Sequence, residues 1–122
     1  QYTKDRKAFG KPIGSFQNSR FLLAELATEA TAVRVVIDEF LKLHLEEKLT
    51  VEQAAMAKWW STENQVKLID RCLQLHGGYG YMREYSVARA YLDARVQTIY
   101  GGTTEVSRNA VAQRHLGLPR TQ

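Results

Sequence analysis

Apolar positions recur at three- and four-residue intervals along most of the chain, and a few glycine-rich points interrupt them. The longest unbroken pattern runs from about residue 18 to residue 45. Leu22, Leu26, Val33, Ile37 and Phe40 share one stripe, with Ala30 and Val36 beside it, which predicts an amphipathic helix. Glu25, Glu29, Arg34, Asp38 and Lys42 take other positions, and Arg34–Asp38 and Asp38–Lys42 have the i,i+4 spacing of helix-surface ion pairs. Leu23, Ala24, Ala27, Val35 and Leu41 widen the apolar surface, so this helix is expected to touch more than one neighbour. The pattern stops in His44-Leu45-Glu46-Glu47-Lys48-Leu49. Thr50-Val51-Glu52-Gln53 then has the hydroxyl-to-amide spacing of a capping box. It opens a second helix, from about residue 51 to residue 75. Ala54, Ala55 and Ala57 permit close approach, Trp59 or Trp60 supplies bulk, and Val66, Ile69 and Leu73 continue the stripe. Each helix of about 25 residues would be roughly 37 Å long. Joined by a short loop, the two make an antiparallel hairpin, the core of a bundle.

The remaining segments are shorter. Residues 1 to 7 are polar and helix-compatible, like the tail of a helix, and Gly10, Pro12 and Gly14 impose a loop over about 9–16. A second break is Gln74-Leu75-His76-Gly77-Gly78-Tyr79-Gly80-Tyr81. Ser86 stands where it can cap a helix to about residue 96, with Val87, Ala90, Tyr91 and Ala94 inward. Arg83, Arg89, Asp93 and Arg95 form a charged side facing solvent or a subunit. A third break, Thr98-Ile99-Tyr100-Gly101-Gly102-Thr103-Thr104-Glu105-Val106, precedes a last helix from about 104 to 115, capped by Thr103 or Thr104. Gly117 and Pro119 end it, and residues 120–122 are expected to fray. No internal repeat, strand pair or low-complexity segment is visible. The expectation is one all-α domain over residues 1–122, an antiparallel four-helix bundle.

Composition narrows the function classes. The 122 residues suffice for one domain; 44% are hydrophobic and 25% charged, a globular balance. The formal charge of +4 comes from interleaved acids and bases, which does not make a nucleic-acid groove. No apolar run reaches membrane-spanning length, and no signal peptide precedes the first charges. The expected location is therefore intracellular. The single cysteine, Cys72, excludes an internal disulfide and offers no metal constellation; in an apolar-periodic segment it reads as a packed small side chain. The opening Gln-Tyr-Thr-Lys, without a methionine, suggests a piece of a longer protein.

The breaks carry the candidate chemistry. Arg6, Phe9 and Gln17 combine a forked cation, an aromatic face and an amide, a set able to hold a phosphate and a planar ring. They serve equally as a helix-end cation, a core plug and a surface amide. Gly77, Gly78 and Gly80 suit a helix end and expose backbone N–H groups. No Gly-Lys-Ser/Thr follows them, which excludes a Walker loop. A helix precedes them, which argues against a dinucleotide-binding strand–turn–helix. His76 lacks a Gly-x-Ser-x-Gly partner and reads as packed or hydrogen-bonded rather than as a catalytic base. The glycine pair 101–102 allows positive φ, and the hydroxyls after it cap a helix whose N-terminus suits an anionic ligand; an ordinary capped corner is the other reading.

Three motifs, Arg6-Lys7-Ala8-Phe9-Gly10 with Gln17, Gln74 through Gly80, and Ile99 through Val106, stand in an order, spacing and helical context that resembles the C-terminal helical domain of acyl-CoA dehydrogenases. The resemblance covers essentially the whole chain. It implies a three-domain parent, with an N-terminal helical domain and a middle β-domain ahead of this four-helix bundle. Such enzymes bind FAD, oxidise acyl-CoA to trans-2-enoyl-CoA in fatty acid metabolism, and pass electrons to an electron-transfer flavoprotein. They are usually homotetramers, dimers of dimers joined through these bundles. By resemblance, Arg6 reaches the FAD pyrophosphate of a neighbouring subunit, and Phe9 and Gln17 lie against that cofactor. Gln74, Leu75, His76, Gly77 and Gly78 match the segment contacting its adenosine and pyrophosphate part across the interface. Thr103, Thr104 and Glu105 match the segment lining the cofactor at the last helix, and Gly102 a backbone contact to substrate.

One departure stands out. Many members carry the catalytic glutamate directly after the tyrosine of the third motif, where this chain has Gly101. A subset with long-chain or branched substrates keeps glycine there and supplies the glutamate from the preceding helix, which would lie before Gln1. No catalytic base is therefore expected within these residues, and the piece alone is expected to be inactive. The resemblance implies a cytoplasmic location, or the mitochondrial matrix for a eukaryotic source. A different class of reading is a non-catalytic helical self-association module; DNA binding, known in some flavoproteins of the superfamily, is disfavoured by the interleaved acids.

Overall fold

A computed structural model describes residues 1–120 of the chain; Thr121 and Gln122, part of the expected frayed tail, lie outside the described residues. The chain opens with a single helical turn, α1 (Tyr2–Asp5), then β1 (Lys7–Ala8) and β2 (Lys11–Pro12), which pair antiparallel with Ala8 opposite Lys11. This hairpin corrects the expectation of a loop without a strand pair. Strands of two residues hold too little alternation to show a period of two. Phe9 and Gly10 connect them with φ of 51° and 80°, the left-handed pair that a two-residue hairpin turn requires. A 3₁₀ turn, Ile13–Ser15, then leads into α2 (Gln17–Leu45).

The capping box forms as its spacing predicts. The Gln53 amide donates to Thr50 Oγ1 at 3.3 Å, and the Thr50 amide donates to Gln53 Oε1 at 3.0 Å. It starts α3 (Val51–His76), which ends in a second 3₁₀ turn, Gly77–Tyr81. Then come α4 (Ser86–Gln97) and α5 (Thr104–Arg114). Ser86 does not cap α4. Tyr85 occupies the cap position and Ser86 is already the first helical residue, its hydroxyl making no capping bond. Thr103 is the cap of α5, its Oγ1 accepting from the Val106 amide at 3.3 Å.

Helix α3 is the shared element, packing against α2, α4 and α5. Arg71 of α3 pairs with Glu25 and, at 3.7 Å, with Glu29 near the start of α2, which sets the two helices antiparallel. Along another side, Leu73 lines a hollow with Ala88 and Tyr91 of α4. Further back on α3, Glu63 meets Thr104 and Trp59 carries the Arg108 guanidinium over its ring at 4.7 Å. Helices α4 and α5 thus follow each other along α3, both antiparallel to it. The four helices of the antiparallel bundle form three rods in cross-section, one of them interrupted at residues 98–103.

The core is small. Leu26, Ala88 and Ala94 are its buried apolar residues among those described, Ala88 alongside the expected Ala94. On α2 the predicted stripe faces α3, but Val35 and Leu41, expected to meet further neighbours, are exposed, with Phe21 and Leu45. The accessible surface is 8809 Å², against about 6,700 Å² for a monomer of this mass by size scaling. The excess of about 2,100 Å² is what an uncovered apolar flank would leave.

Candidate functional site

The interruption between α4 and α5 is the most constrained polar region of the molecule. Gly101 and Gly102 have φ of 64° and 94°, values that a Cβ makes costly. Both are exposed, and a Cβ on either would meet nothing within 4 Å. Backbone conformation, not lack of space, calls for glycine here. The Thr104 amide donates to the Thr98 carbonyl at 3.1 Å and closes the loop. Thr98, Thr104 and Ser107, the buried polar residues among those described, all lie at this junction. The wall behind it is α3. Thr104 Oγ1 donates to Glu63 Oε1 at 3.0 Å, and Lys58 Nζ donates to the Gly102 carbonyl.

A cavity of about 370 Å³ opens beside the loop, lined by Glu63, Val66, Arg95, Thr98, Ile99, Thr103, Thr104 and Glu105. The amides of Thr104 and Val106 are used internally. Those of Gly101, Gly102 and Thr103 make no hydrogen bond among the described residues. These three are the donors the loop offers. The Glu105 backbone N–H and the Thr103 hydroxyl donate to the Glu105 carboxylate, and Arg108 and Arg95 add positive potential. Together they hold its carboxyl below the usual range, although it stands in solvent.

The second candidate region lies at the other end of α3. A hollow of about 640 Å³ is lined by Tyr2, Arg6, Ile13, Gln74, Leu75, His76, Gly77, Gly78, Tyr79 and Met82. His76 is packed and bonded, as the sequence predicts. Its ring stacks on Tyr2 with centroids 4.0 Å apart, and its Nδ1 lies 2.8 Å from the Cys72 carbonyl. A carbonyl only accepts, so Nδ1 carries a proton and Nε2 of the neutral ring is left as an acceptor. The Arg6 guanidinium lies 5.2 Å from the Tyr79 ring centroid, a cation–π distance. Gly77 and Gly78 are exposed, with open space where a Cβ would stand. Gly80 differs: a Cβ there would lie 2.5 Å from the Leu73 carbonyl oxygen, so this buried glycine serves the close approach of the turn to α3.

Arg6 and residues 74–78 therefore meet in one hollow, whereas the remaining predicted residues do not. Phe9 stands at the hairpin tip, 96% exposed, its ring edge-on to Phe16. Gln17 lines a separate shallow hollow with Arg20 and Phe21. Thr103, Thr104 and Glu105 belong to the α4–α5 loop. His76 and Glu63 are thirteen positions apart on α3, roughly 20 Å along its axis, so one chain presents two distinct surfaces. Sequence reasoning missed Lys58, Glu63, Arg95 and Tyr2. Glu63 left a trace, an acid between Trp59 and Val66 on an otherwise apolar stripe. Cys72 is partly buried; burial pushes its thiol up, against the lowering effect of Arg71, and keeps it protonated at neutral pH.

Comparison with known proteins identifies the family of the domain. The family model described as acyl-CoA dehydrogenase, C-terminal domain, matches residues 1–116. The mitochondrial long-chain specific acyl-CoA dehydrogenase of Sus scrofa is 48% identical over 112 residues, 92% of this chain and 26% of that protein. Subunit CarC of the caffeyl-CoA reductase–Etf complex of Acetobacterium woodii is 38% identical over 112 residues, 92% of this chain and 30% of that one. The crystal structure of an acyl-CoA dehydrogenase from Geobacillus kaustophilus superposes with a TM-score of 0.90 at 44% identity, covering 96% of this chain and 30% of that one. The chain thus spans between a quarter and a third of the length of these relatives. With its three glycine-broken motifs on one helical scaffold and a family match over nearly its whole length, the chain belongs to the acyl-CoA dehydrogenase family, as a C-terminal helical domain.

Proposed function

We propose that this domain is the FAD-contacting and oligomerising part of a flavin-dependent dehydrogenase that oxidises acyl-CoA to trans-2-enoyl-CoA and delivers electrons to an electron-transfer flavoprotein. The observation that carries this reading is the pair of open glycine corners, at 77–78 and 101–102, one sharing a hollow with Arg6. The residues present suit a dinucleotide. Arg6 supplies a forked cation for the diphosphate, and glycine corners let a ligand approach the main chain. Gln74 and His76 Nε2 offer polar edges to an adenosine. The two surfaces, roughly 20 Å apart on α3, suit two cofactors in a dimer. Residues 103–105 would hold the subunit's own FAD, while Arg6 and residues 74–78 would hold the neighbour's, with Phe9 and Gln17, which lie outside that hollow, reaching it further along.

When bound, FAD supplies the redox chemistry; this chain's residues hold and orient. The Gly101 and Gly102 amides offer donors toward an acyl thioester, while the Gly102 carbonyl is occupied by Lys58. Glu105 is not the proton acceptor. Its carboxylate is engaged by Thr103 and its own backbone, and a lowered pKa makes it a weak base. The base comes from elsewhere in the parent protein. The Sus scrofa relative, mitochondrial and long-chain specific by name, supports long acyl chains as substrates and, for a eukaryotic source, a mitochondrial location. The named Etf complex of the Acetobacterium woodii relative supports the electron partner. Expression of the complete gene tests the reading: bound yellow flavin and acyl-CoA-dependent reduction of an electron-transfer flavoprotein are expected. A colourless, inert protein defeats it.

The exposed apolar flank of α2 favours a second reading, a helical self-association module without catalysis. That reading requires the complete protein to assemble equally well with and without flavin.

A further inference from the structure

We propose that Glu63 is a positioning residue that, with Lys58, braces the Gly101–Gly102 loop from behind and holds its free amides ready for ligand. The proposal rests on the function proposed above. A glycine pair loses more conformational freedom on ordering than any other dipeptide, and it has no side chains with which to anchor itself. Here the segment is tied at two points. Thr104 at its far end is 3% exposed, its amide on the Thr98 carbonyl and its hydroxyl on Glu63. The Gly102 carbonyl is tied by Lys58. Both anchoring side chains come from α3, the most connected helix.

Alternative acceptors for the Thr104 hydroxyl are poor. Beyond Glu63 its one other acceptor among the described residues is the Thr98 carbonyl, at 3.5 Å and already bound to the Thr104 amide. Removing the Glu63 carboxylate therefore leaves a buried hydroxyl with a weak partner and frees the start of α5 to shift. A site acting through main-chain donors loses most of its benefit when those donors wander by an ångström, because fixed geometry is what the ligand would otherwise have to impose. Glu63 is assigned no contact with cofactor or substrate; it acts through Thr104.

The test uses the complete protein with Glu63→Ala, Glu63→Gln, Thr104→Val and Thr104→Ser. Glu63→Ala is expected to weaken both flavin retention and acyl-CoA binding about tenfold, the scale of one hydrogen bond to a charged group. Hydrogen exchange over residues 98–106 should accelerate while the melting curve of the remaining helices stays in place. Glu63→Gln keeps an acceptor oxygen and should restore most of the binding. Thr104→Val should reproduce the loss, and the double variant Glu63→Ala/Thr104→Val should be no worse than either single change. Parent-like binding and exchange in Glu63→Ala, or additive effects in the double variant, overturn the brace. Where Glu63→Ala does not accumulate, hydrogen exchange over residues 98–106 without flavin decides: it should accelerate in Thr104→Val and not in Thr104→Ser, and parent-like exchange in Thr104→Val overturns the brace. A parent protein that binds no flavin defeats the proposed function, and loop exchange then decides the brace alone.

Discussion

Arg6 is the residue on which the cofactor reading presses hardest. It contributes the permanent cation of the hollow that holds residues 74–78, and its guanidinium rests against Tyr79. A charge-assisted contact to phosphate is worth about 1.5–3 kcal/mol. Arg6→Ala in the complete protein is therefore expected to lower flavin affinity at least tenfold, read from flavin released on dilution; unchanged retention would reassign the arginine. Glu105 makes a different prediction. Its folded pKa lies below its unfolded value, so its ionised form supports the start of α5 above the ordinary carboxylate pKa. That support disappears as pH falls through the lowered folded value. Acidification should lower the protection of the amides at residues 103–107, measured against their intrinsic exchange rate at each pH, before it affects the long helices, and Glu105→Gln should abolish that pH dependence.

At the scale of elements, local chemistry explains most boundaries. The reciprocal bonds of Thr50 and Gln53 start α3, and removing such a cap costs about 1 kcal/mol. Thr50→Ala should lower the melting temperature by a few degrees, by thermal circular dichroism, while leaving flavin binding alone. Helices were legible because a stripe such as Leu22, Leu26, Val33 and Ile37 repeats over many turns. The hairpin at residues 7–12 was not, because two residues per strand cannot display a period. Ser86 misled because a hydroxyl just before a helical pattern suits a cap and a first helical residue alike. The glycine corners and Arg6 were singled out by residue type together with the resemblance of the three motifs. Their supports, Lys58 and Glu63, were not, because each meets its partner across more than forty residues of chain, a separation that periodicity does not encode.

Across the whole molecule, surface decides what the domain needs. The excess exposed area of about 2,100 Å² exceeds the roughly 800 Å² that each partner contributes to an ordinary interface. It includes Val35, Leu41 and Leu45 on α2 and Leu92, Val96 and Ile99 at the end of α4. The complete protein is expected to sediment as a dimer or larger, with Val35→Glu/Leu41→Glu shifting it toward monomer. A monomeric parent at micromolar concentration would show that other domains cover this flank. Arg71, joining Glu25 and Glu29 at a largely exposed site, adds little to stability by comparison; it orders the hairpin more than it stabilises it.

Phe9 carries a last consequence. Its backbone sits in a region that aromatic residues avoid, at φ 51°, and its ring is bathed in water. Asparagine would relax such a bend, so Phe9→Asn should make the unliganded parent slightly harder to melt while weakening whatever lies against that tip. A variant that melts higher yet holds its flavin less firmly would mark the hairpin as a spring kept cocked for contact, quiet only once its aromatic tip is covered.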